Sequence, residues 1–390
     1  MAPKRSEICE VKVKGSTFSA WKQIDVEFCI DAEPLVAQAT LVVAEVGDFK
    51  SWSTLRLKPG DPATVWLAGR KAIDGVVMAR QVAYDPNSHD VRIIIQTRLG
   101  NAVVSSVKPE QMKNVTLTQA ANRILQPSDI KFSLSGNPKN ADKIFRSIIT
   151  HVGETQLEAV ARLCKMRNIH LMDDRSGNLV GVRNDGSEKS VGELREGRNI
   201  LNAAMVWRWD TAIDLIKSNG QEPGHNGKSG DPVRNPAAQT KNPNYNGQRV
   251  VSFLAEHPGD KQDMQMRADH EVDLNVATMF DAQITVQGWL RNNGRLWLEE
   301  VRSFIDVYSP MMFPSNRETL GIYKANCRQG ENTGTTTQLG LCLTNWLGHF
   351  GHDPIQSGSD ATQGPQGQAD APPAQASSET WGPQPPIPFT

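Results

Sequence analysis

The chain has 390 residues, with 42 basic and 43 acidic side chains and a formal net charge of −1. That length exceeds what one core usually sustains, so about two to four domains are expected, and the even charge offers no global field for nucleic acid or an anionic membrane. No apolar run is long enough to span a bilayer, and the start MAPKRSEICEVKVKG has no apolar signal region, so synthesis and first folding in a cytoplasm are expected.

From Glu7 to about Leu99 the pattern is short β segments spaced by turn-formers, among them QIDVEFCI, ATVWLAG, IDGVVMARQVAY and HDVRIIIQTR. Residues 1–100 therefore read as a first β-barrel or sandwich domain. Lys58-Pro59-Gly60-Asp61-Pro62 interrupts a central strand, and Asp85-Pro86-Asn87-Ser88 makes the last two strands a hairpin.

The pattern changes near Asn114. Thr116 with Gln119, and Thr155 with Glu158, are capping boxes, which place helices near 116–126 and 155–167. Leu157, Val160, Ala161 and Cys164 give the second helix one buried face. NIHLMDDRSGNLVGVR reads as a hairpin over 168–183, so residues 101–195 form a small α/β domain.

Strand character returns in ILNAAMVWRWDTAIDLIKSNG, and a second β domain is expected over 196–347. Within it, residues 219–248 are rich in Gly, Asn and Pro and read as an exposed polar loop, while Met264, Ala268, Val272 and Val276 mark a helix near 260–280. DAQITVQGWLRNNGRLW then reads as a hairpin, with Asn293-Gly294 suited to a type I′ turn and Trp289 and Trp297 on adjoining strands. The strands that follow repeat the order and spacing of the first β region at low residue identity. Residues 348–390, rich in Pro, Gln and Gly, read as a disordered tail.

Candidate chemistry is sparse. Asp173-Asp174 and Glu299-Glu300 are adjacent carboxylates that a glycosidase could use, but strand neighbours point to opposite faces, so solvated side chains are the better reading. His349 and His352 lack companion ligands, and His257 and His270 are isolated, which favours surface histidines over a zinc site. GHNGKSG, residues 224–230, lacks the spacing of a phosphate loop. Trp207 and Trp209 share a strand face, where they serve either as a stacking platform or, more commonly, in packing at a core or subunit interface. The five cysteines, Cys9, Cys29, Cys164, Cys327 and Cys342, form no CxxC pair and read as buried thiols, an odd count leaving one intermolecular disulfide open. The residues thus nominate no catalytic, cofactor-binding or metal site; Trp207, Trp209, Trp289 and Trp297 are the packing or interface candidates.

Four stretches taken in order carry a family resemblance: DGVVMARQVAYDPNSHDVRIIIQTR; GETQLEAVARLCKMRNIHLMDDRSGNLVGVR; REGRNILNAAMVWRWDTAIDLIKSNGQ; and the helix with VQGWLRNNGRLW. Over roughly residues 5–347 the chain resembles the baseplate hub proteins of contractile-tailed phages, the hub of phage Mu and its relatives, also called late control protein D or tail-tip hub proteins. It departs from the pattern at Leu298-Glu299-Glu300, where the family has Pro-Asn or Pro-Gly, and in its proline-rich tail. The resemblance implies a mainly β fold with α+β parts, two tube-like β-barrel domains and a small α/β domain. It implies a non-enzymatic homotrimer whose pseudo-six-fold ring joins the hexameric tail tube, or a distal tail ring, to the trimeric membrane-piercing spike in the virion baseplate. Tape-measure protein and a baseplate wedge are further implied partners, DNA passes only transiently through the lumen, and no stable membrane association is implied. Two alternatives stand beside it: the hub of a secretion or bacteriocin-like injection machine, and a peptidoglycan-binding tail component.

Overall fold

The computed structural model describes residues 5–344 apart from 32–34, 45–56, 86–88, 137, 139, 184–189, 222–234, 314 and 332. The expected tail, GHNGKSG, His349 and His352 lie outside the described residues. The first module contains β1 (Cys9–Val13), β2 (Ser16–Phe18), β3 (Gln23–Cys29), β4 (Gln38–Ala44), β5 (Pro62–Leu67), β6 (Arg70–Tyr84) and β7 (His89–Thr97). Alternation drives these strands: in β5 and β7 every second side chain is buried, so one face of the sheet is apolar and the other wet.

A helical unit follows, with α1 (Gly100–Val104), β8 (Gln111–Val115), α2 (Leu117–Leu125), β9 (Phe132–Ser135), β10 (Phe145–Ile149), α3 (Gln156–Lys165), β11 (His170–Asp173) and β12 (Leu179–Val182). Both expected capping boxes form. The Thr116 hydroxyl accepts the Gln119 N–H at 3.3 Å and the Gln119 side chain accepts the Thr116 N–H at 3.0 Å; Thr155 and Glu158 do the same at 3.2 and 2.7 Å. Each such cap stabilises its helix by about 1 kcal/mol. Leu117, Ala120, Ala121, Ile124 and Leu125 of α2 pack on Ala159, Val160, Leu163 and Cys164 of α3 in a core of their own.

The second module contains β13 (Ser190–Arg195), β14 (Asn202–Trp207), β15 (Leu215–Asn219), β16 (Ala237–Lys241), β17 (Val250–Leu254), α4 (Lys261–Met279), β18 (Phe280–Gln287), β19 (Phe304–Tyr308), β20 (Arg317–Gly330) and β21 (Gly334–Leu343). The span 219–248 is not polar loop throughout: β16 lies inside it and pairs with β15, which pairs in turn with β17. Ala238, Asn242 and Tyr245 are buried there. That burial comes from α4, which packs across β15 and β16 and supplies the apolar partner the local sequence lacks.

The expected type I′ hairpin also needs correction. Only Gly294 of the Asn-Gly pair has positive φ, the Arg291 N–H bonds the Arg295 carbonyl at 2.9 Å, and the arm holding Trp297 becomes a 3₁₀ turn, Trp297–Glu300, instead of a strand. A two-residue I′ turn needs positive φ at both positions.

Thirteen strands belong to one sheet, and the modules repeat one pairing order within it. In the first module the order is β3-β4-β7-β6-β5; in the second it is β14-β18-β21-β20-β19. The long strands β6 and β20 each bulge at the matching place, between Val77 and Ala79 and between Ile322 and Lys324. The modules join where residues 324–329 of β20 pair antiparallel with residues 24–29 of β3. One apolar cluster, from Val11 and Ile93 to Ile284 and Leu341, runs through both. The fold is thus mainly β with α+β parts; among the described residues the two ends of the strand order, β2 and β14, do not pair with each other.

Candidate assembly surface

The interface candidates separate into two pairs. Trp289 is fully buried, and its indole N–H donates to the Arg328 carbonyl at 3.1 Å. Trp297 is nearly as buried, with the Arg291 guanidinium over its ring at 5.6 Å, and its N–H bonds the Trp289 carbonyl at 3.0 Å. Both side chains lie beside β20.

Trp207 and Trp209 are at the surface, 41% and 54% exposed. The strand ends at Trp207, which meets Phe280 edge-on at 6.4 Å, and Trp209 lies in the bend that follows, edge-on to Tyr245 at 4.7 Å. One nitrogen of Arg249, Nη1, holds that bend by donating to the carbonyls of Trp209, Asp210 and Ala212 at 2.7, 2.8 and 3.1 Å. Five of the six residues of β14 are exposed, because among the described residues only β18 pairs with it. An outermost strand in this state is a template for further pairing.

The carboxylates are less solvated than their spacing suggests. Asp173 is buried: it accepts the Thr97 hydroxyl and the N–H groups of Ala37 at 3.1 Å and Arg175 at 2.7 Å, so it ties the helical unit to β7. Burial outweighs those bonds and pushes its carboxyl up to about 6. Asp174 caps its own loop through the Ser176 and Asn178 N–H groups, both at short distance, 2.7 and 2.9 Å. Glu300 is buried against Arg291 at 2.8 Å, whereas Glu299 reaches Arg295 at 3.2 Å. Each of these carboxylates is held by a donor already in the fold.

His257 and His270 are buried and not on the surface as expected. Desolvation and the nearby Arg162 hold the His257 imidazole down at about 4. His270 stacks on His170 at 5.0 Å; burial and that neighbour push its imidazole well below the ordinary value.

The sequence reading missed His170 altogether. Its Nδ1 lies 2.6 Å from Asp31, just past β3, and its Nε2 lies 3.9 Å from Asp273 of α4, so three parts of the chain meet on one ring. Burial alone would lower the imidazole; the two carboxylates overcome it and hold it up at about 9. The alternating apolar pattern of NIHLMD places His170 on a buried strand face, but its acidic partners lie more than a hundred residues away. No group of three His, Cys, Asp or Glu able to hold a metal occurs among the described residues. All five cysteines are buried, and none forms a disulfide.

Comparison with known proteins fits this geometry. Residues 102–183 match the family described as baseplate hub protein gp44-like, second domain. The baseplate hub protein gp44 of Escherichia phage Mu is 20% identical over 309 residues, 77% of this chain and 79% of that protein. The chain is similar to the Mu-like baseplate hubs. The fold agrees: the 43 kDa tail protein of prophage MuSo2 from Shewanella oneidensis has a TM-score of 0.73 at 22% identity, covering 87% of this chain and all of that one. A tail protein from Neisseria meningitidis has a TM-score of 0.72 at 18% identity, covering 88% and 98%. For this hub-like chain the comparisons support a phage tail baseplate component and indicate no catalytic family.

Proposed function

We propose that this chain is a structural hub of a phage tail baseplate, acting as a homotrimeric ring that joins a six-fold tail tube, or a distal tail ring, to a three-fold spike. The observation that carries this reading is the internal repeat: two modules with one strand order, fused edge to edge within one chain. Three copies then present six similar modules, which reconciles a trimeric partner with a hexameric one. The work is mechanical. Load passes through continuous sheet and a shared core, and Trp207, Trp209, Trp289 and Trp297 serve packing and interface roles. Tape-measure protein and wedge proteins fit as further neighbours, DNA crosses the lumen only in passage, and the site of action is the virion tail.

Native mass spectrometry of the full chain, alone and with its cognate spike protein, tests this. The expected result is a mass of three copies, with three-fold averages by electron cryomicroscopy showing six tube modules. A chain that stays monomeric in both conditions would overturn it. A monomer retained on purified peptidoglycan would instead favour a wall-binding component.

A further inference from the structure

Three parts of the chain meet on two stacked imidazoles. His170 stands on β11 of the helical unit and His270 on α4, with ring centroids 5.0 Å apart, and both side chains are buried. On one flank the first module closes against β11 through backbone as well as side chain. The Asp31 N–H donates to the Leu171 carbonyl at 3.0 Å, and the Asp31 carboxylate accepts the Leu171 N–H and reaches the His170 ring, both at 2.6 Å. On the other flank α4 presents side chains, the His270 ring and the Asp273 carboxylate 3.9 Å from His170 Nε2. Among the described residues no backbone hydrogen bond joins β11 to α4.

Charge around the pair is uneven. Asp31 and Asp273 overcome burial and keep the His170 ring charged at neutral pH. His270 faces mainly cations: His170 of β11, Lys165 of α3, Arg183 after β12 and Arg267 one turn back on α4. Of the acids nearby, Asp31 and Asp273 already hold His170, and Glu271 holds Arg267 at 2.8 Å. The Cys164 thiol of α3, pushed well above its usual range by burial, adds no charge. His270 Nδ1 has no hydrogen-bond partner among the described residues. A second charge on this pair therefore gains no acceptor at that nitrogen and meets like charge on every packed element. A cavity of about 190 Å³, lined in part by Asp31, Cys164, Lys165, His270 and Leu274, lies beside the pair, and half-buried Lys165 and Leu274 give water a way in.

Helix α4 links this point to the surface. Its first turn is anchored, since Asp263 holds Arg167 and Lys143 and Met264 lies in the core of the helical unit. Two residues past Asp273, the Asn275 side chain accepts the Ile213 N–H at 3.0 Å and donates to the Thr211 carbonyl at 2.9 Å. The bend that carries Trp209 is thus tied to the same helix.

We infer that the His170–His270 stack is an acid-released latch: proton uptake at His270 sets two charged rings against each other, and α4 parts from β11 about its anchored first turn, loosening the Trp209 bend. The sign follows from the surroundings of His270. Burial and the neighbouring cations hold its ring below the ordinary 6.5, so it is neutral in the closed seam, and the seam loses stability as pH falls below 6.5. The latch acts within one copy and does not depend on the ring reading above.

Hydrogen exchange of the full-length chain between about pH 7 and pH 5, corrected for the intrinsic rate, tests it. Protection over residues 168–172, 211–213 and 270–276 is expected to fall about tenfold or more, while helix α2 changes less than about twofold. His270→Phe keeps an aromatic ring on His170 but takes no proton, and it is expected to abolish the fall; His270→Gln makes the same comparison with a smaller side chain. His257→Gln, at the other histidine held down by burial, is expected to leave the fall as in the parent. Protection that stays constant with pH in the parent, a fall shared equally by α2, or an undiminished fall in both His270 variants would overturn the latch. Loss of the fall in His257→Gln would overturn it too.

Discussion

Gly60 and Arg302 occupy the same place in the two halves of the sheet. Each has a positive φ, +92° and +87°, and each donates its N–H to the residue before a bulge, Gly60 to the Val77 carbonyl at 2.8 Å and Arg302 to the Ile322 carbonyl at 2.7 Å. The next residues, Asp61 and Ser303, accept the return N–H from Val77 and Ile322, both at 2.9 Å. A sharp left-handed step thus starts β5 and β19 alike, one made by glycine and the other by a strained arginine. Arg302 offsets that strain by a side-chain hydrogen bond to Ser135 of the helical unit.

Gly60→Ala is therefore expected to lower stability by about 1–2 kcal/mol through backbone strain. Among the described residues no atom lies within 4 Å of the position a Cβ would take there, so they add no crowding. Arg302→Gly relieves strain and loses the Ser135 bond, leaving it within about 1 kcal/mol of the parent. Urea midpoints check both, and an unchanged midpoint for Gly60→Ala would remove the strain account.

His170 makes stability depend on pH in the alkaline range. Its folded value, about 9, stands above the ordinary 6.5, so the charged ring binds Asp31 and Asp273 more favourably in the fold than in the unfolded chain. The contribution is fully present below about pH 6.5 and is lost as pH rises through about 9. His257 acts in the opposite sense: held down at about 4, it costs stability as pH falls from 6.5 towards 4. The difference in urea midpoint between the parent and His170→Gln should shrink steadily from pH 6.5 to 9. A constant difference would show that the ring is not charged in the fold.

Trp289→Ala should be the most damaging of the tryptophan variants, costing about 3–5 kcal/mol, because it empties a fully buried indole site and leaves the Arg328 carbonyl without its donor. Trp209→Ala, at a half-exposed position, should cost under about 1 kcal/mol. Thermal denaturation of the monomeric forms ranks them. Equal losses would mean that Trp289 is replaceable by its surroundings.

Asp263 is the hinge of a buried charge network. It accepts from Arg167 at 2.9 Å and Lys143 at 2.7 Å, and its carboxylate also takes the Asp260 N–H at the start of α4. Asp263→Ala leaves the fully buried Arg167 without its carboxylate, a change expected to cost about 3–5 kcal/mol. Hydrogen exchange should accelerate first in the opening turn of α4 and at residues 143–146. Unaltered exchange there would show that Lys143 and Arg167 find other partners.

What could be read from the sequence was what is local. The boxes at Thr116 and Thr155 need only the three residues after them, and both helices form within a residue or two of their expected bounds. The strand order of the second β region was legible as a faint echo of the first because turn spacing survives where residue identity does not. Strand β16 was hidden because AAQTK has little apolar content of its own and is covered by a helix more than twenty residues later. His257, His270 and Asp173 looked like surface groups because their burial depends on segments far along the chain. The exposure of β14 was illegible for the same reason: NAAMVW has the composition of a central strand, yet among the described residues only β18 pairs with it.

The β3–β20 junction also sets an order on synthesis. Cys29 finds Lys324, and the Glu7 carbonyl finds the Gln329 amide at 3.0 Å, across almost the whole length of the chain. The amino-terminal strands leave the ribosome long before their partner exists, so β3 waits with one side uncovered while some three hundred further residues are made. A nascent chain stalled before β20 lacks the strand that covers that side in the fold. The first module therefore gains its last neighbouring strand only when the second module has been made.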